Sequence, residues 1–198
     1  MKRIELVYRE ILYRAIEEKE RRFTQLELSK NLSISLSIVN AAVRKLRDLG
    51  SIKVLARSFE IIDIRKILYY WASARNFWKD VIYQIRVEMP VREMERNMPD
   101  LIYSAYSAYK FKFKDVPADY SEVYVYANDS ELELIKKRFN RFEKNKLKPN
   151  LFVLRKDSLM DKYKSIPLAQ IFVDLWNLRE WYAKDFVQDF EKKFNEVL

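Results

Sequence analysis

The chain has 198 residues, one glycine, no cysteine and no histidine, and its 38 Lys and Arg against 29 Asp and Glu give a formal net charge of +9. Without Cys or His there is no disulfide, no thiolate or imidazole zinc site, no Ser-His-Asp triad and no histidine general base. Carboxylate-bound magnesium stays open, whereas a lone glycine leaves no P-loop or G-x-G-x-x-G turn. A hydrophobic content of 49% is enough for a packed core, and the basic balance favours polyanionic partners.

In chain order, MKRIELVYREILYRAIEEKE reads as an amphipathic helix with Ile4, Val7, Ile11, Leu12, Ala15 and Ile16 on one face, not as a signal peptide. No segment approaches membrane-spanning length, so the expectation is a cytoplasmic protein without a membrane partner. Thr24 followed by Glu27 fits a capping box, and Leu26, Leu28 and Leu32 then supply apolar contacts. A turn through Leu32, Ser33 and Ile34 leads to Ser35, the expected N-cap of a second helix. There Val39, Ala42, Val43 and Leu46 fall at i, i+3, i+4, i+7 and face inward, leaving Ser37, Asn40, Ala41 and Arg44 outside. Gly50 stands where a left-handed residue would close that helix. Ser51–Leu55 and Phe59–Asp63 read as strands around Ala56, Arg57 and Ser58. The order describes a winged helix-turn-helix over residues 1–65, a module that sets its second helix into the DNA major groove and also serves in protein contacts.

Residues 66–198 are expected to form a second, α+β unit in which helices cover a small sheet. Ile64–Asp80 has helical spacing with a stripe of Ile67, Leu68, Trp71, Ala74 and Trp78. Val81–Met89 alternates as a half-buried strand, and Pro90 opens a short helix, VREMERNM. Leu101–Tyr109 reads as a helix with Tyr103, Tyr106 and Tyr109 at i+3 spacing. Glu122–Ala127 is a strand, Asn128-Asp129-Ser130 caps a helix from Glu131 to about Phe142, and Asn150–Arg155 is a third strand. Helices over Pro167–Trp176 and from Glu180 to about Val197 complete the tail, with no internal repeat.

The Thr24–Gly50 segment resembles winged helix-turn-helix transcriptional regulators at large. KILYYWASARN (66–76), EVYVYAND (122–129) and SIPLAQIFVDLWNL (165–178) together resemble archaeal and bacterial regulators of the AbiEi antitoxin type, from nucleotidyltransferase-based, type IV toxin–antitoxin systems. The resemblance implies a winged helix ahead of a domain related to the minimal nucleotidyltransferase fold, and a cognate toxin protein as a candidate partner. Active nucleotidyltransferases of that kind have a Gly-Ser turn followed by a strand with paired acids that hold two metals. The corresponding turn here, Tyr103-Ser104-Ala105-Tyr106-Ser107, has no glycine, and Glu122-Val123-Tyr124 offers one carboxylate, with Asp129 beyond the strand. The domain is therefore read as non-catalytic, with no metal and no cofactor.

The expected function is sequence-specific binding of double-stranded DNA by a transcriptional regulator. Ser35, Ser37, Asn40, Ala41 and Arg44 would read bases, Asn40 suiting adenine and Arg44 guanine, while Lys45, Arg47, Lys53 and Arg57 would hold phosphates. So few base-reading side chains imply a homodimer on two half-sites. Lys136, Lys137, Arg138, Arg141 and Lys144, interleaved with Phe139 and Phe142, form a candidate second basic surface, the plainer reading being a solvated helix face; Lys110, Lys112 and Lys114 would extend it. Asp174, Glu180 and Asp185 fall at spacings that do not converge as a metal cluster. The rival readings are an interaction module that neutralises a toxin with DNA contact secondary, and an active minimal nucleotidyltransferase.

Overall fold

A computed structural model describes residues 1–142 and 147–197. Among them are α-helices and strands in the order α1 (Arg3–Glu17), β1 (Arg22–Phe23), α2 (Gln25–Leu32), α3 (Leu36–Asp48), β2 (Ile52–Val54), β3 (Phe59–Ile61), α4 (Ile64–Ala74), β4 (Val81–Ile85), α5 (Val91–Asn97) and β5 (Ile102–Ser104), continuing with α6 (Ala105–Phe113), β6 (Val123–Ala127), α7 (Asp129–Phe139), β7 (Leu151–Arg155), α8 (Leu168–Trp176) and α9 (Ala183–Val197). The architecture is α+β. No helix among the described residues is long and apolar enough to cross a membrane.

Two small sheets organise the chain. The first is antiparallel in the order β1-β3-β2 and lies beside α3. The second runs β4-β7-β6-β5, with β6 and β7 parallel and both outer pairs antiparallel. Alternation along β6 sends Val123, Val125 and Ala127 to one face, with Ile135 and Phe139 of α7 and Met94 of α5, and Tyr124 and Tyr126 to the other, under α6 and α8. Both faces are covered, which is why EVYVYA carries so little polarity. Helix α8 (LAQIFVDLW) is buried on every side from Leu168 to Leu175 and packs against α1, α4, α6 and α9. The larger apolar cluster thus continues from Leu6 on α1 to Phe194 on α9.

Several elements depart from their sequence expectation. Leu101–Tyr109 is not one helix: Ile102–Ser104 is an edge strand paired with β6, and α6 starts only at Ala105, whose φ of 49° makes the switch. Helix α4 stops at Ala74, itself exposed, because Arg75 turns extended and buries its guanidinium; Trp78 sits in the 3-10 turn Phe77–Asp80. The second sheet gains β5, and the first gains the two-residue β1. Helix α1 buries more than one stripe, including Glu5 and Arg9, since α2 and α3 cover one side and α4 and α8 the other.

Candidate nucleic-acid interface

Helices α2 and α3 meet across a tight turn that the side chains specify. Thr24 Oγ1 accepts the Glu27 amide at 3.1 Å and starts α2, although the Glu27 carboxylate bridges to Arg14 at 2.5 Å and does not complete a capping box. Ser33 takes a left-handed conformation (φ 51°), and Ser29 Oγ donates to the Ile34 carbonyl at 2.6 Å, closing the corner. Ser35 is the N-cap residue of α3, but its hydroxyl lies 3.0 Å from Ser37 Oγ and leaves the helix amides alone.

Val39, Ala42, Val43 and Leu46 are all at most 4% exposed, so the apolar seam of α3 is fully used. Removing four such side chains from water anchors the helix by several kcal/mol, at roughly 1.5–3 kcal/mol per large aliphatic side chain. At its far end Gly50 has φ +63°, its amide donates to the Arg47 carbonyl at 2.8 Å, and the Ser51 amide reaches the Leu46 carbonyl at 3.0 Å. Strands β2 and β3 follow as a hairpin closed by the Leu55 amide on the Ser58 carbonyl at 2.8 Å, with exposed Arg57 at its tip.

Every residue expected to touch DNA lies on the exposed side of this assembly: Ser35, Ser37, Asn40, Ala41 and Arg44 along α3, Lys45 and Arg47 in its last turns, Lys53 on β2 and Arg57 on the hairpin. Helix α3 packs on α1, α2 and β2. Asn40 Nδ2 donates to Gln25 Oε1 at 3.1 Å, and Arg44 donates to Asn40 Oδ1 at 3.4 Å. One amide donor and one acceptor lone pair of Asn40 remain, the pair that a bidentate adenine contact requires. Arg47 shares an exposed ion pair with Asp48 at 2.9 Å, a contact too weak in water to withhold it from a phosphate. Lys53 and Arg22 both stand opposite Glu60 in register, so the hairpin face is less positive than Lys53 alone suggests. Gln25 was not expected at the site. Its signal was a polar side chain directly after the Thr24 cap, where the start of α2 crosses α3.

No protein-family model, curated protein or solved structure matches this chain. The site therefore rests on its own geometry.

The second basic run is more occupied. Lys136 pairs with Glu133 at 2.7 Å, Arg138 donates to the Asn97 carbonyl that ends α5 at 2.8 Å, Arg141 lies over the Phe142 ring at 4.7 Å, and Lys137 is exposed. Lys144 lies outside the described residues. Lys110 is held by Glu95 at 2.5 Å, while Lys112 and Lys114 are exposed. Tyr106 and Tyr109 are wholly buried and Tyr103 half-buried, so these three tyrosines form no stacking platform for bases.

Where α1, the end of α4 and α8 meet the second sheet lies a polar knot of buried groups. The Arg75 guanidinium, 1% exposed, contacts Asp80 at 2.5 Å, Glu5 at 3.3 Å and Asp174 at 3.5 Å. Asp174 also accepts from Ser104 and Tyr126, both at 2.7 Å, and from Gln170 at 2.8 Å. Burial pushes its carboxyl above the usual range, and Arg75 and these hydrogen bonds offset that only in part. Arg9 grips Asp157 through both terminal nitrogens at 2.7 and 2.8 Å. There burial pushes the Asp157 carboxyl up, but the bond and charge of Arg9 outweigh it and hold it low.

Proposed function

We propose that the chain is a sequence-specific DNA-binding transcriptional regulator whose residues 1–65 work as a winged helix-turn-helix. The observation that carries the reading is the contrast along α3: a seam at most 4% exposed backs a face where Asn40 and Arg44 stand open to solvent. The arrangement of α1, β1, α2, α3 and the β2–β3 hairpin supports it, because it sets Arg57 at a hairpin tip on the flank of a helix whose outer side is polar and basic. Asn40 and Arg44 read base edges, and Lys45, Arg47, Lys53 and Arg57 set register on phosphates. Two bidentate readers at about 1–3 kcal/mol each give one copy little operator selectivity, so the regulator works as a cytoplasmic homodimer on half-sites about one helical turn apart.

Residues 66–198 are read as a non-catalytic, nucleotidyltransferase-like domain of the AbiEi antitoxin type, with autorepression as the corresponding role. Two features support this. Ala105 occupies a left-handed position (φ 49°) between β5 and α6, where the resembling enzymes have a glycine turn. Glu122 precedes β6 and no second acid follows it on that strand: Tyr124 and Tyr126 come next on its face, and its carboxylate accepts hydrogen bonds from Tyr182 and Ser121.

The test is selection of bound fragments from genomic DNA, followed by affinity measurement on the selected site across salt. Four phosphate contacts per copy predict a log–log salt slope of about −3.6, or about −7 for a dimer. Arg57→Ala should flatten that slope by about 0.9 per copy for all sequences, and Arg44→Ala should relax preference at one base pair without changing it. Enrichment of no common sequence, or identical behaviour of both variants and the wild type, overturns the assignment.

A further inference from the structure

Helix α9 turns two sides to the rest of the chain and leaves a third bare. Phe186, Phe190 and Phe194 are buried, with Phe190 against Phe172 of α8, and Asp189 and Lys193 meet Tyr109 of α6. Lys184, Val187, Gln188 and Glu191 lie outside both contacts, at the i, i+3, i+4, i+7 spacing of one helical face. Beside that face, the end of α8 and the turn after it leave an open groove of about 440 Å³, with Leu175 and Ala183 buried at its base and Trp176 and Leu178 along its side. Trp176 is 42% exposed, and Trp181, just ahead of α9, is 76% exposed. Tryptophan is highly buried on average and enriched at interfaces, so two bare ones in one short stretch mark this end of the molecule as a contact surface.

The charges of the face fit a second copy of the same helix. Lys184 and Glu191 are two turns apart, or about 10 Å along the axis. When two α9 helices lie antiparallel about a twofold axis passing between Val187 and Gln188, residue 184 of each copy falls opposite residue 191 of the other. Both cross-pairs are then Lys–Glu, with Val187 and Gln188 gathered about the axis. A parallel pairing would set lysine on lysine and glutamate on glutamate.

Both groups are open to such a partner. Lys184 is exposed and makes no ion pair within 4 Å among the described residues. The Tyr69 hydroxyl donates to Glu191 Oε1, which holds the carboxylate in place and leaves Oε2 without a hydrogen bond among the described residues. The charged residues lining the groove are Glu180 and Glu191 against Lys184 alone. This patch therefore does not share the excess positive charge of the chain, +9, that repels one copy from another elsewhere.

We propose that two copies of the chain join here, α9 against α9 in antiparallel register, each helix covering the groove of the other over Trp176 and Leu178. The surface lies on different elements from the DNA-reading face of α3. Its use on paired half-sites rests on the DNA-binding reading, whereas the dimer itself does not.

Sedimentation velocity of the full-length protein without DNA, across micromolar concentrations, tests the proposal. The wild type should sediment as a dimer. Lys184→Glu sets four carboxylates around the axis and Glu191→Lys four ammonium groups, and each should weaken self-association at least tenfold while circular dichroism stays that of the wild type. Mixed in equal amounts, the two variants should pair again, because both cross-pairs are then Glu–Lys; loss of structure would not be repaired by mixing. Should either charge variant fail to fold, cross-linking decides: Gln188→Cys in this cysteine-free chain should be joined to its counterpart by a bis-maleimide spanning about 10 Å, the separation of packed helices, and Lys137→Cys on α7 should not. A wild type that stays monomeric, whether another protein or solvent then meets the groove, overturns the proposal. So does a dimer that both charge variants leave intact, or folded variants that do not pair on mixing. A monomer that still selects one DNA sequence sinks this proposal alone, and a dimer that selects none sinks the DNA-binding reading alone.

Discussion

Replacing Arg75 by methionine would keep much of the side-chain volume and remove its charge. Three carboxylates would then lose their shared cation: Glu5 and Asp174, whose side chains are 4% and 0% exposed, and Asp80 at 17%. At an effective dielectric constant of about 20, a pair such as Arg75–Glu5 at 3.3 Å interacts by about 5 kcal/mol. Deleting one partner of a buried pair typically destabilises by about 3–5 kcal/mol, because the remaining charge stays desolvated. For a chain of this size that corresponds to a fall in Tm of roughly 6–20 °C. The pH dependence follows from the sign of the Asp174 shift. Its carboxyl is already raised by burial, and loss of Arg75 raises it further, so the folded state binds the proton more tightly than the unfolded chain with its ordinary pKa of about 3.9. Stability of Arg75→Met should therefore fall as pH rises from about 4 through the folded value, making the deficit larger at pH 8 than at pH 5. Denaturant unfolding at both pH values measures it, and adding Asp174→Asn should return part of the loss. A deficit below about 1 kcal/mol at pH 8, or one independent of pH, would refute the view that Arg75 neutralises this knot.

Gly50→Ala should cost about 1–2 kcal/mol from the left-handed backbone alone, since the added methyl meets nothing nearer than Lys66 Nζ at 4.0 Å; chemical denaturation would show it. Leu46→Ala should destabilise by about 2–5 kcal/mol and weaken DNA binding only where unfolding does, which parallel unfolding and binding titrations separate. Asp157→Asn should lose several kcal/mol at pH 7, about 3–5 for a buried pair. Because Arg9 holds the native carboxyl low, the wild-type advantage is present above about pH 4 and disappears as acid protonates Asp157, so the two stability curves should converge there.

The amino acids announce some of this structure and hide the rest, for physical reasons. The α3 seam was legible because Val39, Ala42, Val43 and Leu46 keep helical spacing beside polar neighbours, and Gly50 marks the stop. Strand β5 was not, because its three residues run straight into α6 without a turn and Tyr103, Tyr106 and Tyr109 imitate a helical stripe. The change of conformation falls on Ala105, where no glycine signals it. The end of α4 was hidden for another reason: Arg75 leaves the helix to meet Glu5 and Asp174, partners remote in sequence. The positions expected to read DNA were visible as one face of one helix. The groove beside α9 was not, since it exists only once α8 and α9 fold against each other.

Helix α1 has a consequence for how the molecule comes apart. It lends one flank to α2 and α3 and the other to α4 and α8, so a cut near residue 65 would leave it on the N-terminal fragment with the greasy flank that meets α4 and α8 exposed to water. Melting should accordingly be all-or-none, a single heat-absorption peak instead of two, and neither piece is a promising unit to express by itself.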